Sequence, residues 1–414
     1  MPVTLKDIHR AADILRGEIS DTRCHFSEKL SVLTGAKVFL KFENLQFTGS
    51  FKERGALVKL DSLPRRDRKK GVIAMSAGNH AQAVAYRSKK LDIPATIVMP
   101  RYTPNIKVEH TRGFGAEVIL FGETLAEAAE HTKRLAEERN LTLVHPYDDE
   151  KIIAGQGTIA LEILSRHPDL EVLIVPIGGG GLISGIAVAA HGIHPDIEIV
   201  GVQTSRFPSM KQALAGEPIH CGRLSIAEGI AVKAPGEKTL PIIRQGVSDI
   251  LLVNEPEIES AVRILLDMEK TVVEGAGATG LAALIKHRKR FSGRKIGLVL
   301  SGGNIDPLVL ASIIKRGLVH SGRMIRLHVE VRDVPGALAE VTRCIGEAGA
   351  NIVEVHHQRS FTSLPLQSAE VEFILITRGS EHVGQILSAL STGGFKTRLM
   401  GISKQPETVD TSDS

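Results

Sequence analysis

Up to about residue 315 the chain alternates between two hydrophobic patterns. Short runs rich in Val, Ile and Leu occupy residues 37–42, 72–75, 95–99, 117–120, 141–144, 171–177, 198–202 and 295–300. Between them, segments such as 79–91, 124–139 and 182–191 carry apolar residues three and four positions apart, the spacing of one helix face. Runs nearly continuous in apolar residues, each followed by a helix-length stretch, predict a mostly parallel sheet covered on both faces. Ligands in such α/β folds sit beyond the carboxyl ends of the strands.

After Ile314 the pattern changes. The stretch KRGLVHSGR is short, polar and glycine-containing, and reads as a linker over 316–323. Beyond it come a strand at 324–331, a helix at 335–349 with Pro at its start, and strands at 352–357 and 371–377. A second helix contains 383–390, and 396–400 is a last short strand. This βαββαβ order is the ferredoxin-like arrangement, which places a small domain at 324–402. The polar tail 403–414 is expected to be disordered.

Composition narrows the function classes. The 414 residues, 43% hydrophobic and 24% charged, exclude a wholly disordered chain. No apolar run approaches the ~18 residues of a membrane span, and the charged, helical N-terminus is unlike a secretory signal. Cys24, Cys221 and Cys344 lie far apart without metal spacing. A reducing cytoplasm is therefore expected, with neither a disulfide framework nor a metal site. The net charge of +4 comes from 51 basic and 47 acidic residues, well interspersed. The densest basic stretch, Arg65–Lys70, reads as a solvated helix end. With no Trp and three Tyr, nucleic-acid binding is excluded from the reading. Glycine is in excess, 40 of 414, about 10% against a usual ~7%.

Four stretches combine those glycines with reactive or hydrogen-bonding side chains: SFKERG (50–55), SAGNHAQ (76–82), GGGGL (178–182) and SGGN (301–304). Four glycines at a strand–helix junction leave N–H groups unshielded at the positive end of a helix, a nest for a phosphate. On its own the run is equally a tight turn. It is not a dinucleotide fingerprint, because position 183 is Ile, and no GKS or GKT follows to make a Walker loop. Asn79 alone reads first as a helix cap. Lys52, beside Phe51 and flanked by Gly49 and Gly55, is the possible nucleophile. A helix N-terminus and desolvation both disfavour an ammonium there. A lysine that forms an imine, a phosphate nest and a polar cap for a ring nitrogen together fit pyridoxal phosphate.

The ordered set SFKERGA, SAGNHAQ, GGGGL, AEGIAV (227–232), EGAGA (274–278) and SGGN resembles the tryptophan-synthase-β-like, fold type II pyridoxal phosphate enzymes. Within them it is similar to the threonine dehydratase (threonine ammonia-lyase) and serine racemase group. Residues 324–400, with DVPGAL (333–338) and GANIVEV (349–355), resemble an ACT domain. The resemblance implies a two-lobed catalytic portion over 1–315 and a regulatory portion after it.

The roles the resemblance implies are specific. Lys52 would hold the cofactor and then remove the substrate α-proton. Gly178, Gly179, Gly180, Gly181 and the Leu182 amide would bind its phosphate. Asn79 would bond the ring hydroxyl, Ser301 would face the ring nitrogen, and Phe51, beside Lys52, would belong to the cofactor site. Ser76, Ala77, Gly78, Asn79 and His80 would clamp the substrate carboxylate, with Gly229 and Glu274 lining the pocket. Asp333, Gly336 and Asn351 would take a branched-chain amino-acid effector across a subunit interface, implying a dimeric or tetrameric homo-oligomer.

The implied activity is dehydration of L-threonine, and of L-serine, to a 2-oxo acid and ammonia. A serine or 3-hydroxyaspartate dehydratase and a catalytically silent amino-acid sensor are the alternatives. Two departures from the group bear on this reading. Ala77 stands where racemases need a hydroxyl, and Gln203 and Ser209 stand where the group's divalent-metal carboxylates would be. No strong Mg²⁺ or Ca²⁺ requirement is therefore expected.

Overall fold

A computed structural model describes residues 3–358 and 367–400; the tail expected to be disordered lies outside them. The strands run β1 (Cys24–Ser27), β2 (Lys37–Lys41), β3 (Val72–Met75), β4 (Ala95–Met99), β5 (Glu117–Leu120), β6 (Thr142–Leu143) and β7 (Val172–Pro176). They continue as β8 (Glu198–Thr204), β9 (Asp249–Val253), β10 (Lys295–Val299), β11 (Met324–Arg332), β12 (Asn351–Gln358), β13 (Ser368–Ile376) and β14 (Lys396–Met400).

The chain divides into two compact units, Met1–Asp306 and Pro307–Ser414. The first unit contains two sheets and hence two lobes. The larger has the order β1-β2-β10-β7-β8-β9 and the smaller β5-β4-β3-β6. Every pairing in them is parallel except β1 with β2 at one edge. The central strands β4 and β7 are buried at all five positions, which is why both read as unbroken apolar runs.

Glycine-to-glycine crossings fix how the site-bearing helices approach. A Cβ on Gly155, in helix Glu150–Arg166, would stand 2.7 Å from the Cα of Gly55 in helix Lys52–Asp61. A Cβ on Gly185, in helix Gly181–Ile193, would stand 2.2 Å from the Ile153 carbonyl oxygen. One central helix thus seats both the lysine helix and the helix behind the glycine loop at backbone contact distance. Strands β2, β3, β7 and β10 all release their chains at carboxyl ends, into residues 42–50, 76–78, 177–180 and 300–304.

The second unit carries strand order β12-β13-β11-β14, antiparallel throughout. Two helices, Ala337–Glu347 and Ser380–Thr392, complete the βαββαβ order, and Leu327, Val329, Val341, Phe373 and Ile386 lie in its core. The stretch read as a linker differs. Helix Pro307–His320 runs through most of it, because Ile313, Ile314 and Leu318 keep a helical spacing; the chain turns only at Gly322, with φ of 66°. Among the described residues no helix is long and apolar enough to cross a membrane.

Candidate active site

Lys52 is the first residue of its helix, after Phe51, and no side chain caps that end. Its Nζ donates to the Pro146 carbonyl (2.8 Å) and lies 5.2 Å from the centre of the Phe51 ring. Desolvation pushes the amine down to about 8, against the opposing field of Glu274. A lysine so placed gives up its proton far more readily than a solvated one, so a neutral, nucleophilic amine becomes available as pH rises through about 8.

Asn79 does not cap its helix. Gly78 occupies the cap of helix Asn79–Lys90, and the Asn79 side chain turns across the cleft. Its Nδ2 donates to Glu274 Oε1 (2.8 Å), and its Oδ1 accepts from Asn304 Nδ2 (2.8 Å). Burial raises the Glu274 carboxyl to about 7, the Asn79 hydrogen bond working the other way. A Cβ on Gly302 would stand 2.5 Å from Glu274 Oε1, and one on Gly229 3.3 Å from it. The 301–304 loop is laced to the segment before Lys52: Phe51 N donates to Ser301 O (3.1 Å) and Gly303 N to Gly49 O (2.9 Å). Ser301 itself is buried.

Within the 76–80 loop, Ser76 N is bonded to Val98 O and Gly78 N to Ser76 Oγ. A carboxylate clamp on this loop would therefore use the amides of Ala77, Asn79 and His80. The His80 side chain points away, its Nε2 donating to Val144 O (2.8 Å). Burial pushes that imidazole down to about 3 and keeps it neutral.

The glycine loop has no room for side chains. A Cβ on Gly179 would lie 2.3 Å from the Tyr147 ring, and one on Gly181 2.8 Å from the Tyr147 carbonyl. Gly180, with φ of 100°, begins helix Gly181–Ile193 without a side-chain cap. Uncapped N–H groups at the positive end of a helix suit a phosphate. The same edge holds a desolvated amine and an amide side chain already oriented. Together these residues fit pyridoxal phosphate: an amine for its aldehyde, a nest for its phosphate and polar side chains for its ring.

Two features were not read from the sequence. One is the buried charge cluster behind Lys52. Arg54 is wholly buried and forks onto Glu43 (2.7 and 2.8 Å) and Glu162 (2.6 and 2.8 Å), with Lys41 beside them. Glu53, also buried, pairs with Arg87 (2.9 Å). The sequence shows only ordinary helix charges here; the burial of residues 53–58 in succession, which leaves those charges no solvated face, is set by tertiary packing. The other is the turn His145–Asp148, which touches both Lys52 and the glycine loop.

In the second unit, Asp333 and Gly336 follow β11, Gly336 with φ of 91°. Asn351 begins β12 opposite Ile376, which pairs with Met324 at the other end of β11, whereas Arg332 pairs with Ser368. Eight strand steps, roughly 27 Å, separate those ends. A site using all three residues takes two copies of the domain.

Gln203 and Ser209 are engaged within the chain: Gln203 Oε1 accepts from Lys211 N (3.0 Å) and Ser209 Oγ donates to Val232 O (2.7 Å). Dialysis against EDTA is expected to leave the catalytic rate unchanged, with no gain on adding Mg²⁺. A large loss that Mg²⁺ restores would show that a cation acts here.

Comparison with known proteins agrees with this geometry. Residues 15–302 match the model of the pyridoxal-phosphate dependent enzyme family, and residues 325–392 that of the ACT domain. The chain is 45% identical to an L-threonine ammonia-lyase of Thermotoga maritima over 96% of its own length and all of that protein's. It is 46% identical to an L-threonine ammonia-lyase of Geobacter sulfurreducens, over 95% of this chain and 98% of that one. Maize serine racemase shares the fold with a TM-score of 0.72 and 34% identity, over 77% of this chain and 99% of that one. The chain belongs to the pyridoxal-phosphate dependent enzyme family and carries a C-terminal ACT domain.

Proposed function

We propose that the protein is an L-threonine ammonia-lyase, converting L-threonine to 2-oxobutanoate and ammonia and L-serine to pyruvate and ammonia. The observation that carries this reading is the meeting, at one edge of two parallel sheets, of Lys52, the uncapped glycine loop and the Asn79–Glu274–Asn304 network. Near full-length similarity to two L-threonine ammonia-lyases supports the substrate.

Bound pyridoxal phosphate supplies the electron sink that acidifies the substrate Cα–H and lets a β-hydroxyl depart. The chain supplies the rest. Gly178 to Leu182 would hold the phosphate, and Asn79, oriented by Glu274 and Asn304, would hold the ring hydroxyl. Ser301 would face the ring nitrogen with a hydroxyl rather than a carboxylate, a weaker partner for a charged ring, which would favour loss of the β-substituent. Lys52 takes the α-proton. The α-proton and the β-hydroxyl together make up the one water lost, and the enamine left tautomerises and is hydrolysed to the 2-oxo acid and ammonia. Ala77 has no hydroxyl to return a proton to the opposite face, which disfavours racemisation.

The ACT domain serves amino-acid sensing, and Asp333, Gly336 and Asn351 take a branched-chain effector between two copies in a homo-oligomer. A cytoplasmic setting accords with three unpaired cysteines. A 2-oxo-acid assay on threonine, serine and 3-hydroxyaspartate, with and without isoleucine and valine, tests the whole reading. Threonine should yield a 2-oxo acid at a rate one of the effectors changes. Yellow protein giving none from threonine would exclude this activity while leaving the cofactor in place.

A further inference from the structure

The turn that follows β6 touches the lysine and the glycine loop at once. His145 Nδ1 accepts from two backbone amides of its own turn, Asp148 N (2.8 Å) and Tyr147 N (3.3 Å). The curled turn aims the Pro146 carbonyl at Lys52 Nζ, 2.8 Å away. It lays Tyr147 on the glycine loop: a Cβ on Gly179 would fall 2.3 Å from its ring, and one on Gly181 3.0 Å from its Cα. Tyr147 Oη donates to Ala234 O (3.1 Å), and Asp148 accepts from Glu237 N (3.0 Å) and Lys238 N (2.9 Å). The next residue of that segment, Thr239, donates from Oγ1 to Gly179 O (2.7 Å). The contacts therefore close a ring from Lys52 through the turn to residues 234–239 and back to the glycine loop.

We propose that the turn His145–Asp148 sets the distance between the Lys52 amine and the phosphate-holding loop, and that His145 is a positioning residue acting through its Nδ1 acceptor. This rests on the reading of Lys52 and residues 178–182 as the cofactor site. An amine that must take one proton from a fixed carbon needs its remaining hydrogens anchored, and Pro146 O is the anchor the chain provides. Only a neutral imidazole leaves Nδ1 free to accept. Desolvation, the main cause, holds the His145 pKa below the ordinary histidine value, against the attraction of Asp148, in keeping with that form.

The chemistry of the acceptor gives a sharp test. Asn Oδ1 stands as many bonds from Cα as His Nδ1, and an Asn side chain accepts from the amide two residues on. Gln places its amide one bond further out. H145N and H145Q holoenzymes are compared with the wild type by kcat and KM for threonine, by cofactor release and by thermal melting of the cofactor-free protein. H145Q should lower kcat about 10- to 100-fold, the scale of a small misplacement of a reacting group. It should also speed cofactor release, with little change in KM. H145N should recover most of both, while the two variants melt alike. If H145Q does not fold, H145N against wild type decides: near-normal kcat and retention support the proposal. Equal impairment of both variants, or indifference of both, would overturn it. Wild-type protein that binds no pyridoxal phosphate would instead overturn the reading of the site.

Discussion

Lys52→Ala is expected to give a folded protein that lacks the visible absorbance of a lysine-bound cofactor and turns over threonine about 10⁴-fold more slowly. The size follows from losing both the covalent anchor and the proton acceptor, each normally a large factor. Truncation at Lys52 removes no packing partner from the helix, whose buried residues begin at Glu53. Melting of the cofactor-free protein should accordingly stay near the wild type. The same amine predicts a pH dependence. Desolvation lowers it from the ordinary 10.5 to about 8, so the neutral fraction that can attack an aldehyde rises with pH through about 8 and then levels. The rate at which cofactor-free protein regains its visible band should follow that curve. A rate still climbing above pH 10 would mean that the amine is solvated and the desolvation argument is wrong.

Much of this site was legible because glycine and strand ends leave strong signals. Strands β4 and β7 are buried on both faces, so their apolar runs could be read directly. The GGGGL loop follows β7 with helix Gly181–Ile193 behind it, as the run and its flanks implied. What escaped reading depends on tertiary partners. Strand β1 is a four-residue edge with Phe26 exposed. Asn79 has the sequence of a cap, and only Glu274 and Asn304, about 200 residues away in the chain, turn it into a bridge across the cleft. His145 shows no pattern at all, since its partners are main-chain amides.

Arg54→Met is expected to unfold the catalytic unit more readily than any single change at the cleft itself. The side chain is wholly buried and makes two hydrogen bonds to Glu43 and two to Glu162. Met fills a similar volume but leaves the two carboxylates with Lys41 as the cation that remains in the cluster. Removing one partner of a buried ionic cluster costs about 3–5 kcal/mol, a large share of a domain's stability. Burial alone would raise the Glu43 pKa, but Arg54 and Lys41 together hold it below the ordinary value. A carboxylate depressed on folding contributes its stability above the unfolded pKa and loses it as pH falls through the folded one. The wild type should therefore weaken below the usual carboxylate range of about 4, and Arg54→Met should be weak already at neutral pH. Denaturant titrations at pH 7 and at acid pH, followed by far-UV dichroism, measure both effects. Because Arg54 stands two residues after Lys52 on the same helix, the cofactor absorbance should disappear at lower denaturant than the bulk of the helical signal. Coincident loss of the two signals would show that the cluster supports the whole unit rather than the placement of the lysine helix.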